Sequence, residues 1–205
     1  MRAVPQASDS LLRRMTLDEW ARLPDDEPGE FVDGWLVEEE VPDFLHEAIV
    51  AWLLEKLGRW SRERGGIAGA SDAKFAVASN RGRKPDATVF LPGRLPPARG
   101  LVRVAPEIAI EIVSARPRDR RRDRLEKSAE YAAFGIPSYW IVEPEPLRLE
   151  IHRRSAGGIY ELALAADAGV IRDVPGCPDL VLDLDELRES VARLARDDDG
   201  DPEPR

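Results

Sequence analysis

The chain has 205 residues, 39 of them Asp or Glu and 30 Lys or Arg, for a formal charge of −9 at neutral pH, and a chain of this length suits one domain that folds without covalent staples. A single cysteine, Cys177, excludes an internal disulfide and a Cys-rich zinc site, and two histidines, His46 and His152, exclude a multi-histidine metal centre. No apolar run approaches the roughly 20 residues of a membrane span and no apolar stretch follows the first Arg as a secretory signal requires, so the expectation is a soluble, cytoplasmic protein with no membrane partner.

Met1 to Met15 shows no period and reads as a flexible leader, residues 1–15. Thr16 with Glu19 forms a capping box that opens a short helix to about Leu23. Phe31 to Glu40 reads as a hairpin around Asp33-Gly34. Asp43 can cap a long helix whose apolar positions run from Phe44 through Leu57 to Trp60 and which stops at Gly65-Gly66. Ala73–Ala78 is a strand, Asn80–Lys84 a turn, and Ala87–Leu91 a strand reached through Pro85-Asp86. After a proline-rich loop, Glu107–Val113 is almost wholly aliphatic, as a strand buried on both faces would be. A helix from about Asp119 or Asp123 to Phe134 is stopped by Gly135 and Pro137. Tyr139–Val142 is a second buried strand. Leu147–His152 and Ile159–Leu164 pair around Gly157-Gly158. A short strand lies near Val170, and Asp183 with Glu186 starts a last helix to about Ala195. The expectation is one α/β domain over residues 16–195, with strands in the middle and helices at the flanks, followed by a disordered acidic tail, 196–205.

Charge is segregated along the chain. Leu23 to Glu55 holds eleven acids and no Lys or Arg, whereas Arg116 to Arg124 holds six Arg in nine residues. Net acidity argues against non-specific coating of nucleic acid, but one local cationic patch is enough to dock phosphates.

Glu111 is the most informative residue. Strand period puts it on one face with Ala109 and Val113, where an ionised carboxylate is costly unless paired or bound to a metal. The plain alternative is a Glu at the rim of the sheet or one paired with an Arg. Asp86 precedes the strand Ala87–Leu91, where an acid after Pro is ordinarily turn chemistry. If the two strands are neighbours, Asp86 and Glu111 converge, and two hard oxygen ligands with room for water are what Mg²⁺ or Mn²⁺ accepts. On the following helix Arg120, Arg124, Lys127 and Tyr131 share a face by spacing. That face is either a solvated polar stripe, with Leu125, Ala129 and Ala132 forming the apolar one, or a cation set near the metal with Arg neighbours on phosphate. Glu30 is a further candidate, or else an acid in a solvated turn. His46, in the first turn of the long helix, is a proton carrier, a phosphate contact or an exposed first-turn residue. Trp52, Trp60 and Trp140 read as core.

Taken in order, Glu30-Phe31-Val32-Asp33-Gly34-Trp35-Leu36-Val37, His46 on a helix, Pro85-Asp86, Glu111-Ile112-Val113-Ser114, Asp123 with Lys127 and Tyr131, and Gly135-Ile136-Pro137-Ser138-Tyr139-Trp140-Ile141-Val142 resemble the Uma family. That family is a restriction-endonuclease-like group within the P-D-(D/E)-X-K nuclease superfamily. The resemblance covers about Thr16 to Leu187. It implies a mixed β-sheet core flanked by α-helices and a metal-dependent endonuclease that hydrolyses phosphodiester bonds in DNA. Asp86 and Glu111 match the paired metal-binding acids, joined at the metal by the backbone carbonyl of Ile112. The superfamily's lysine stands two residues after the second acid, where this chain has Val113. Lys127 fits the place of a lysine supplied from the next helix, and Glu30 matches an N-terminal acid that completes the site. Where members often read Tyr-Trp-Ile-Val-Asp, this chain has Glu143. The expected site is thus Asp86, Glu111, Lys127 and Glu30, with Mg²⁺ or Mn²⁺ as cofactor. Arg120, Arg121, Arg124 and His46 are expected to touch nucleic acid, and a homodimer would supply two cutting sites. The alternative is a nuclease-fold module that binds nucleic acid or a partner protein without turnover.

Overall fold

The computed structural model describes residues 14–24, 27–37, 42–70, 72–113 and 121–194. The expected leader up to residue 13, the expected acidic tail and Arg120 lie outside the described residues. The elements in chain order are α1 (Leu17–Ala21), β1 (Glu30–Val32), β2 (Trp35–Val37), α2 (Phe44–Arg62), β3 (Ile67–Ala70), β4 (Phe75–Ala78), β5 (Arg81–Arg83), β6 (Ala87–Phe90) and β7 (Ile108–Ile112). A π-helical turn, Arg122–Lys127, then runs into α3 (Ser128–Phe134), followed by β8 (Ser138–Pro144), β9 (Leu147–Arg154), β10 (Tyr160–Ala166), β11 (Val170–Ile171), β12 (Leu182–Asp183) and α4 (Leu184–Ala192).

Six strands form the central sheet in the order β10-β9-β8-β7-β6-β3, and β2-β1-β5-β4 form a second, antiparallel sheet. Within the large sheet β7 and β8 run parallel and the other neighbours antiparallel. A parallel pair needs a crossover, and the π-turn with α3 lies in that connection.

The two faces of the sheet carry different cores. On one, Ile49, Leu53, Leu57 and Trp60 of α2 pack against Val89, Ile108, Ile110, Ile112, Trp140 and Val142. On the other, Phe75, Phe90, Ala109, Val113, Tyr131, Tyr139 and Ile141 cluster. The strand period expected for Ala109, Glu111 and Val113 is therefore met, because β7 turns this set toward α3.

Local signals hold at both ends of the chain. The Thr16–Glu19 capping box closes reciprocally, Asp43 accepts from the His46 amide, and Asp183 accepts from the Asp185 and Glu186 amides. Three expectations change. Asn80–Lys84, expected as a turn, contains strand β5, paired on both sides by β1 and β4. β3 was not expected: Ile67-Ala68-Gly69-Ala70 has little apolar alternation and is held by its ladder to β6. The helix ending at Phe134 opens in π rather than α geometry, and its first turns bury the polar side chains, although Ala132 is buried as expected. Asp123 and Lys127 point inward, while Leu125, expected on the apolar face, is 62% exposed.

Gly82 in β5 shows why this short strand takes no larger residue. A Cβ there would collide with the six-membered ring of Trp20. That ring cannot yield, because Trp20 is buried, donates its indole N–H to the Gly29 carbonyl at 3.3 Å and lies under the Lys74 ammonium. Gly82→Ala is expected to destabilise the fold by about 1–3 kcal/mol through overpacking, read as a lower urea midpoint with an unchanged m-value.

Candidate active site

The site grows from the one polar residue of β7. Ile108-Ala109-Ile110-Glu111-Ile112 is buried throughout, and Glu111 is 3% exposed. Its two oxygens are served separately: Oε2 accepts from the Lys127 ammonium at 2.9 Å and Oε1 from the Tyr131 phenol at 2.6 Å. Burial pushes the Glu111 carboxyl well above the usual range, Lys127 opposes it, and the charges of Asp86 and Asp123 add to the upward push. Neither the solvated rim nor an arginine partner, the plain alternatives for this residue, describes Glu111.

Asp86 arrives on the neighbouring strand, as β6 and β7 pair in register through Ala87 and Ile110. Its Oδ2 accepts the Ile112 amide at 2.7 Å, which ties this acid to the backbone one residue beyond Glu111. Its side chain is 18% exposed, and His46 Nε2 lies 3.2 Å from the same oxygen. Burial pulls the His46 pKa down, but the hydrogen bond and charge of Asp86 outweigh it and the net shift is upward. Asp43, as the cap of α2, fixes the helix start that delivers His46 to this spot.

Lys127 is the hub. It is 2% exposed, and its ammonium stands 2.9 Å from Glu111, 3.3 Å from Glu30 Oε1 and 3.4 Å from Asp123 Oδ1. Asp123 is pushed upward by burial, with Lys127 opposing, and its Oδ1 is a buried oxygen with no hydrogen-bond partner among the described residues. Glu30 behaves in the opposite way. Burial raises it, yet Lys127, Arg83 and the Lys84 amide together hold it down at about 2. The difference is one of neighbours: Glu30 shares Lys127 but also has Arg83 Nη1 at 2.6 Å and the Lys84 N–H at 3.0 Å. Glu30 is thus no solvated turn acid.

Helical spacing had offered a solvated polar stripe for Lys127 and Tyr131. Both are instead buried, because Glu111 lies beneath them. Arg124 takes another direction, donating to Glu150 at 2.7 Å and Glu143 at 2.8 Å, so the residue that replaces the common Asp after Tyr-Trp-Ile-Val anchors the start of the helix. Arg121 is exposed. Sequence reasoning missed Arg83 and gave no role to Tyr131 or Asp123. Tyr131 and Asp123 were visible at spacings of four from Lys127, but nothing in Gly82-Arg83-Lys84 announces an arginine 1% exposed.

The donor chemistry suits a hard divalent cation. Asp86 and Glu111 stand at the same end of two adjacent strands, and these two acids, with the Ile112 carbonyl, are the groups that could hold such an ion. Among the described residues no three His, Cys, Asp or Glu side chains form a ready-made cage. Mg²⁺ does not require one, because it keeps several waters.

Residues 16–185 match the Uma2 family, described as "Putative restriction endonuclease". The chain belongs to the Uma2 family. The crystal structure of a protein from Anabaena variabilis, described as "a putative nuclease belonging to DUF820", shares its fold: the match has a TM-score of 0.68 at 21% identity and covers 86% of this chain and 99% of that one. No curated protein matches. This Uma2 chain therefore has the α/β, nuclease-like architecture that its sequence implied.

Two measurements test the electrostatics of the site in this Uma2 protein. Lys127→Met leaves Glu30, Glu111 and Asp123 facing one another without their shared cation. It is expected to cost about 3–5 kcal/mol by urea unfolding at pH 7, with part regained on adding Glu111→Gln. Glu150 is held at about 2, burial being outweighed by hydrogen bonds from Arg124 and Arg148. A depressed carboxyl stabilises the fold above its unfolded pKa and loses that contribution as pH falls through the folded value. Wild-type stability should therefore drop between about pH 4.5 and 2, and Glu150→Gln should flatten that part of the profile while lowering stability at pH 7.

Proposed function

We propose that this protein is a divalent-metal-dependent endonuclease that hydrolyses phosphodiester bonds in DNA. The observation that carries the reading is a buried acid, Glu111, held in an aliphatic strand with a lysine ammonium at 2.9 Å and with Asp86 tied to the next backbone amide. Membership of a nuclease family supports nucleic acid as the substrate class.

Asp86, Glu111 and the Ile112 carbonyl would hold Mg²⁺ or Mn²⁺. When bound, such an ion neutralises charge that builds on a scissile phosphate and lowers the pKa of water. The protein's own groups do the rest. The Ile112 N–H fixes the orientation of Asp86. The Tyr131 phenol fixes that of Glu111. The Lys127 ammonium, a donor of three hydrogen bonds, orients the attacking water and stabilises negative charge at the phosphate. Glu30, an acid held low by its neighbours, adds an attractive negative charge 3.3 Å from that ammonium. His46, beside Asp86, stands where it can hold a proton or a phosphate oxygen.

Purified protein incubated with supercoiled plasmid and Mg²⁺ or Mn²⁺ is expected to yield nicked or linear DNA. Chelation should abolish the cleavage, and Asp86→Ala and Glu111→Ala should each lower it by at least about 100-fold, the scale expected when a group that stabilises transition-state charge is lost. DNA bound without turnover by wild type under all metal conditions would instead identify a binding module that keeps the nuclease fold.

A further inference from the structure

Lys127 and Glu111 stand on different elements, the π-turn and β7, so their separation is not set by either one alone. Something must hold the helix at the right height over the strand. The structure offers one side chain that grips both sides of the lysine. Arg83 of β5 is fully buried. Its Nη1 donates to Glu30 Oε2 at 2.6 Å. Its Nε and Nη2 donate to the two oxygens of Glu130 at 2.7 and 2.9 Å. Glu30 touches the Lys127 ammonium through its other oxygen, and Glu130 sits on α3 three residues after Lys127. A bidentate guanidinium–carboxylate pair fixes distance and angle together, and Arg81 adds a second donor to Glu130 at 2.8 Å.

We infer that Arg83 is a positioning residue of this site: by clamping Glu30 and Glu130 in one guanidinium, it sets where the Lys127 ammonium stands relative to Glu111. The clamp joins β1, β5 and α3, so the second sheet is part of the site's alignment. As far as catalysis is concerned, the inference rests on the endonuclease reading, but the position of the ammonium is observable without turnover.

The chain has four lysines, Lys56, Lys74, Lys84 and Lys127, so the lysine side-chain signals of isotopically labelled protein can be assigned by single substitutions. Lys127→Met identifies the Lys127 signal by its loss. Arg83→Lys keeps the positive charge but cannot reproduce the fork, and Arg83→Met removes both. In Arg83→Lys the Lys127 signal is expected to shift while that of Lys56, which pairs with Glu186, stays in place. Single-turnover plasmid cleavage by the same variant should fall roughly 10- to 100-fold, the scale expected for a misplacement of about 1 Å. DNA affinity measured with Ca²⁺, and the Mn²⁺ concentration for half-maximal rate, should stay within about twofold. Arg83→Met should cleave more slowly than Arg83→Lys; if it does not fold, Arg83→Lys alone decides. An unmoved Lys127 signal in Arg83→Lys overturns the inference, as does a loss of DNA affinity that accounts for the fall in rate. A wild-type protein that never cleaves, with a Lys127 signal that still moves in Arg83→Lys, sinks the endonuclease reading and leaves Arg83 as the residue that positions the ammonium.

Discussion

One buried ammonium organises the polar interior. Lys127 stands within 3.4 Å of oxygens from Glu30, Glu111 and Asp123, and without it three acids would face one another in a low-dielectric space where like charges cannot all remain ionised. The cation does not neutralise the set evenly. Glu30, with Arg83 and a backbone amide in support, is ionised, whereas burial keeps Glu111 and Asp123 shifted toward the protonated form. The result is a buried cluster whose acids are shifted in opposite directions by their neighbours, an arrangement common where acid–base or metal chemistry takes place.

The fold serves this cluster by bringing it four separate elements. β7 contributes Glu111 from the middle of the large sheet, and β1 contributes Glu30 from the interior of the small one. The crossover between the parallel strands β7 and β8 contributes Asp123, Lys127 and Tyr131. Asp86, at the mouth of β6, is the most exposed of the acids and is turned inward by the Ile112 amide. The apolar face under α2 carries none of this, and its layer of Ile, Leu, Val and Trp is an ordinary hydrophobic core. Both faces of the sheet thus carry an apolar core, and the buried charged cluster lies on the face that packs against α3.

The legibility of this arrangement in the sequence varied with how local its causes were. Caps at Thr16, Asp43 and Asp183 and the hairpin at Asp33-Gly34 depend on a few adjacent residues and were all readable. Glu111 stood out because an acid in an aliphatic strand demands a partner. The direction of Lys127 and Tyr131 was not readable. Spacing assigns them to a polar stripe, and a polar stripe on a helix normally faces water; only the carboxylate on another element reverses that. The π-turn belongs to the same failure, since an α-helical wheel placed Leu125 inward and the structure exposes it. Arg83 was hidden for a third reason. β5 is three residues long and lies in a stretch rich in Gly, Lys, Arg and Pro, which local rules read as a turn, and its strand character comes from ladders on both sides.

The order of the cluster along the polypeptide has a consequence for biosynthesis. Glu30, Glu111 and Asp123 all precede Lys127 in the sequence, so a growing chain displays every acid of the group before the amine that reconciles them has been added. Glu30 can already pair with Arg83, which also comes earlier, but Glu111 and Asp123 gain their shared cation only once Lys127 has been added.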